Sequence, residues 1–82
     1  MPDDLVARVA AVIARTQKIP SETVTLDKTF EELKIDSLDG INILFSLENE
    51  FNVVIPDEAA REIQTVRQMV EGVEKLIAAK AS

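Results

Sequence analysis

The sequence predicts an all-α fold: a four-helix bundle with a long first loop and a short third helix. Three observations predict it. Apolar residues recur every three or four positions in the long segments, and no run alternates as a half-buried strand does. Capping signals stand where helices would begin. The chain has 82 residues, 46% of them hydrophobic, which fits a single domain over residues 1–82 with one modest core.

The first helix is expected over residues 3–17. Leu5, Val9, Val12, Ile13 and Thr16 recur at helical spacing, and Arg8 and Arg15 fall on another face. Asp3 and Asp4 suit its positive N-terminal end, and Pro20 prevents clean continuation. Residues 18–35 form a long connection that needs something to hold it in a compact domain. Val24, Leu26, Phe30 and Leu33 are the apolar residues that would pin it to the core. Within it, Thr29-Phe30-Glu31-Glu32 reads as a capping box opening one helical turn.

The second helix is expected over 37–51, with Asp36 as N-cap and Asp39 in the first turn. Pro56, Asp57 and Glu58 open a short third helix reaching Ile63. Thr65-Val66-Arg67-Gln68 is another capping box, starting a fourth helix to Ala79. Its inner side would carry Val66, Met69, Val70, Val73, Leu76 and Ile77. The final Ala-Lys-Ala-Ser is expected to fray.

Composition narrows the function. There is no Cys and no His, so thiolate catalysis, a Ser-His nucleophile pair and Cys- or His-ligated zinc are all excluded. The two glycines, Gly40 and Gly72, cannot build a phosphate-binding glycine loop. A formal charge of -6 argues against a nucleic-acid partner and favours a basic protein. The acidic start lacks the basic region of a secretory signal, and no apolar run is long enough to span a membrane. A cytoplasmic or equivalent matrix location is expected.

The second helix carries the most information. With Ser37 as zero, Ile43, Leu44, Leu47 and Phe51 cluster at about 240–340°. Leu38, Ile41 and Phe45 form a second stripe at about 40–100°. Ser37 and Glu48 lie between the two. One stripe serves a core; the second implies either a deeply packed helix or a partner-binding patch. Between Ile35 and Ala60 there are six acids and no base, while the rest of the chain holds nine of each. An acidic rim around an apolar stripe would steer a basic partner and then bury Leu38, Ile41 and Phe45 against it. Ser37 stands just after the capping Asp36, where free N–H groups and the helix dipole favour a phosphate ester. A Ser-Lys nucleophile pair with Lys34 has no oxyanion-hole motif beside it.

These residues resemble the acyl carrier protein family. The match runs through Asp36-Ser37-Leu38-Asp39, Ile41, Leu47-Glu48-Asn49-Glu50-Phe51, Ile55-Pro56-Asp57-Glu58 and Thr65-Val66. It covers nearly the whole chain, including helix order and acidity. The resemblance implies that Ser37 receives 4'-phosphopantetheine from coenzyme A through a Mg²⁺-dependent phosphopantetheinyl transferase. Acyl groups then travel as thioesters on the arm's thiol, which explains a carrier without Cys. The protein would be no enzyme itself. Its role would be to serve the synthases, reductases and acyltransferases of fatty-acid or related lipid synthesis. It is expected to act as a monomer.

By the same resemblance, Asp36, Asp39 and Glu48 would meet basic partner residues, and Leu38, Ile41 and Phe45 would fill apolar pockets. Val9, Ile43, Leu47, Phe51, Ile63 and Val70 would line the interior. The pattern leaves open whether that interior is a closed core or admits a fatty chain. Lys34 and Ile35 replace the Gly and small residue that many members carry before the Asp-Ser-Leu motif. Gly40 is unusual inside a helix, Asn42 and Asn49 replace common acids, and Phe45 is larger than the usual Met. These departures suggest a specialised carrier with its own partner set. A polyketide or aminoacyl carrier and an unmodified acidic adaptor are the alternatives. A calcium-binding loop from Asp36 fails, because Leu38 and Leu47 fall where oxygen ligands are required.

Overall fold

The structure, a computed structural model, describes residues 3–81, with Asp3 and Ala81 as backbone only. The readings made of Met1, Pro2, Ser82 and the Asp3 side chain lie outside the described residues. Among the described residues there are four α-helices: α1 (Asp3–Gln17), α2 (Ser37–Phe51), α3 (Asp57–Glu62) and α4 (Val66–Ala81). A 3₁₀ turn covers Ser21–Thr23. The all-α expectation holds, and each helix lies within two residues of where the sequence placed it.

The inner faces of three helices make the core. α1 packs against both α2 and α4, and α2 against α4. Val9, Val12 and Ile13 of α1 meet Ile43 and Leu47 of α2 and Val66, Met69, Val70 and Val73 of α4. α3 supplies no fully buried residue. Phe51 and Ile63, expected in the interior, are only partly buried against this core. Phe51 is instead covered by the Arg8 guanidinium, 4.5 Å from its ring centre. Arg8 also reaches Glu50 at 3.1 Å, fastening α1 to the end of α2.

The long connection is held by the start of α4. Thr29 and Thr65 form an isolated antiparallel bridge. Phe30 N–H donates to the Gln64 carbonyl at 2.9 Å, Val66 N–H to Lys28 at 3.1 Å and Arg67 N–H to Leu26 at 3.2 Å. The Arg67 guanidinium then meets Asp27 at 2.8 Å. Val24 and Leu33 are buried and Leu26 and Phe30 partly so, as the pinning role requires.

Local termini follow the sequence signals. Asp36 accepts the Asp39 N–H at 2.8 Å. In the second capping box, Thr65 accepts from Gln68 N–H, and Gln68 accepts from Thr65 N–H, both at 3.1 Å. Three chain reversals use the left-handed region without glycine: Lys18, Lys34 and Asn52, with φ of 58°, 60° and 54°. Each is followed by an apolar residue whose N–H bonds back five positions: Ile19 to Ala14, Ile35 to Phe30, Val53 to Glu48. This back-bonding satisfies carbonyls a chain reversal leaves open, and covering the apolar residue, fully for Ile35 and Val53 and partly for Ile19, offsets the left-handed cost. The fourth helix does not stop at Ala79. It runs to Ala81, and Lys80 Nζ donates to the Asn52 carbonyl at 2.7 Å, tying down the final turn.

The first capping box is reciprocal as well. Thr29 N–H donates to Glu32 Oε1 and Glu32 N–H to Thr29 Oγ1, each at 3.0 Å. The Thr29 backbone N–H, then its hydroxyl and the nearby Lys28, hold the exposed Glu32 carboxyl below its ordinary pKa. A lowered folded value contributes stability above the unfolded value, and that contribution is lost as pH falls through the folded one. Carboxyl-carbon NMR titration is expected to give Glu32 a midpoint below the ordinary glutamate value. Thr29→Ala keeps the backbone N–H and should move that midpoint part of the way back; an unmoved midpoint would contradict the share assigned to the hydroxyl.

Candidate functional site

α2 presents two apolar stripes, and the structure sends them in opposite directions. Ile43 and Leu47 are fully buried, with Leu44 and Phe51 packed against the same core. Leu38 is 72% exposed, Ile41 46% and Phe45 59%. The second stripe is therefore surface rather than core. Asp36 and Ser37 are exposed at the head of the helix, and Asp39 and Glu48 are half-buried along it.

A groove of about 750 Å³ opens between α2 and α3, within the size range of small-molecule sites. Ser37 and Asp36 line it, along with Ile41, Phe45 and Glu48. Leu44, Ile55, Ile63 and Met69 add apolar wall. A smaller cavity of about 330 Å³ lies between α3 and α4 and shares Ile55, Ile63 and Met69 with the first. Ile63 thus stands between two hollows rather than inside the core, because α3 is too short to cover the bundle.

Glu48 has a second commitment that its place between the stripes did not reveal. Its Oε2 accepts the Ile55 N–H at 2.8 Å, tying the end of the α2–α3 loop to α2. A contact seven positions apart has no sequence signal. The Lys34-Ile35 pair before the motif also has a structural basis. Lys34 occupies a positive φ where glycine is favoured, and Ile35 is buried. Gly40, by contrast, meets no steric demand: a Cβ there would lie in open space. Among the described residues no group of three or more acidic side chains is placed to hold a metal ion, and no helix is long and apolar enough to cross a membrane.

Residues 7–73 match the family described as the phosphopantetheine attachment site. Over 70 residues the chain is 40% identical to an acyl carrier protein of Treponema denticola, covering 84% of this chain and 90% of that protein. The chain belongs to the acyl carrier protein family. It is also 38% identical over 77 residues to a mitochondrial acyl carrier protein of Dictyostelium discoideum, spanning 94% of this carrier but 64% of that one. The crystal structure of an acyl carrier protein from Thermotoga maritima superposes with a TM-score of 0.83 at 30% identity. The match covers 94% of this carrier and 91% of that chain. Acyl carrier proteins are carriers rather than enzymes, and their prosthetic group is a covalent 4'-phosphopantetheine.

Proposed function

We propose that this carrier bears its 4'-phosphopantetheine on Ser37. It presents acyl thioesters to the enzymes of fatty-acid or related lipid synthesis, in the cytoplasm or an organelle matrix. The observation that carries this reading is the position of Ser37: an exposed hydroxyl on the first turn of α2, at the edge of the α2–α3 groove.

The surroundings fit the group. A transferase can reach the hydroxyl from solvent. The first-turn N–H groups and helix dipole favour a phosphate ester there, and Asp36 holds that turn in place by capping Asp39 N–H. The bound arm supplies a thiol for acyl transfer; the chain itself supplies orientation and docking. Ile41, Leu44, Phe45 and Ile55 give an apolar chain somewhere to lie beside Ser37. Leu38, Ile41 and Phe45, flanked by Asp36, Asp39 and Glu48, give basic partners a surface that attracts first and then excludes water.

The test is intact mass after incubation of unmodified protein with coenzyme A, Mg²⁺ and a broad-specificity transferase. The wild type is expected to gain one phosphopantetheine group, and Ser37→Ala none. Ser37 is exposed, so the variant should fold normally and keep the wild-type thermal midpoint. An unmodified wild type that stays unreactive with several transferases would sink the proposal and favour the acidic adaptor.

A further inference from the structure

The charged side chains lining the groove beside Ser37 include three carboxylates, Asp36, Glu48 and Asp57, and one cation, Arg61. Arg61 lies in the last turn of α3, one residue beyond the base-free stretch that marks the acidic face. It is exposed. Among the described residues its guanidinium takes part in no hydrogen bond, ion pair or ring contact. Arg8 and Arg67 behave differently, since each is fastened to a carboxylate. Arg61 lines the same groove as three acids and pairs with none. Two of those acids are committed elsewhere: Asp36 Oδ1 to Asp39 N–H and Glu48 Oε2 to Ile55 N–H.

We propose that Arg61 is a positioning residue for the prosthetic arm. Its guanidinium pairs with the phosphodiester on Ser37 and lays the arm along the groove. The inference rests on Ser37 being the attachment site. A phosphodiester there is a permanent anion placed among like charges on Asp36, Glu48 and Asp57. Arg61 is the one cation lining that groove, and its planar fork of N–H donors matches phosphate oxygens. Without it, like-charge repulsion turns the arm away from the groove towards solvent. With it, the arm stays near the apolar walls that its cargo would occupy. The pair is exposed, so added salt weakens it.

The experiment compares holo wild type, Arg61→Lys and Arg61→Gln, with intact mass confirming one arm on each and none on Ser37→Ala. Two signals are followed: the Arg61 side-chain Nε–Hε resonance and the ³¹P resonance of the phosphodiester. Attachment is expected to shift the Arg61 signal in the wild type, and the shift should shrink as salt is raised. The ³¹P resonance is expected to move in Arg61→Gln and to lie between the two in Arg61→Lys. Holo wild type with Arg61 at its apo position, and a ³¹P resonance indifferent to Arg61→Gln, would overturn this inference and leave the carrier reading intact. No arm on Ser37 would overturn both. Among the described residues the Arg61 guanidinium has no partner to lose, so the variants should keep the wild-type amide spectrum outside the groove.

Discussion

Ile43→Ala is expected to destabilise the fold by about 2–5 kcal/mol, whereas Ile41→Ala, two residues earlier on the same helix, should change it by no more than about 0.5 kcal/mol. The chemistry removed is identical. The difference is burial: Ile43 has no exposed surface, and Ile41 is 46% exposed. Truncating Ile43 leaves a cavity between α1, α2 and α4 that close-packed neighbours fill only in part. Truncating Ile41 removes a group that already meets water. A domain of this size has on the order of 4–12 kcal/mol in hand, so the first variant loses a large share. Its thermal midpoint should fall by roughly 10 °C or more. Urea and thermal unfolding of both variants check this. Equal losses would mean that the Leu38–Ile41–Phe45 stripe is packed as core after all.

Phe45→Ala is expected to weaken docking to a basic partner, such as the transferase, by about 1–2 kcal/mol, roughly 5–30-fold in Kd. Phe45 is 59% exposed, so most of its ring is available to a partner pocket and little of it supports the fold. Asp39→Asn should act differently. It removes a charge that steers encounter, so association slows and its salt dependence flattens while dissociation changes less. Binding kinetics at two ionic strengths separate the two effects. An unchanged Kd for Phe45→Ala, with the fold intact, would move the docking surface off this stripe.

These outcomes bear on what could be read before the structure. The helix starts at Asp36 and Thr65 were legible because a cap is a local event, complete within four residues. The two stripes of α2 were legible for a similar reason, since helical period alone separates Ile43 from Ile41. Whether the second stripe, Leu38, Ile41 and Phe45, is also covered was left open by the pattern, because that depends on what packs beside α2. The clamp on the long connection joins residues near 29 to residues near 65, and no local signal announces it. Lys18 and Lys34 in the left-handed region were missed because sequence rules assign such turns to Gly or Asn. Here an apolar residue packed on the core after each turn, Ile19 partly buried and Ile35 buried, fixes the geometry instead.

By itself the sequence determined the helical fold class, the helix boundaries to within two residues, the acidic face, and the family motif around Ser37. All of these depend on residues near one another in the chain, or on counts. Only the tertiary structure decided that Leu38, Ile41 and Phe45 face outward and that Glu48 anchors Ile55. It also decided that Arg61 shares a groove with Ser37. Those facts depend on which surfaces meet when α2, α3 and α4 pack, and burial of apolar area settles that between segments far apart in the chain.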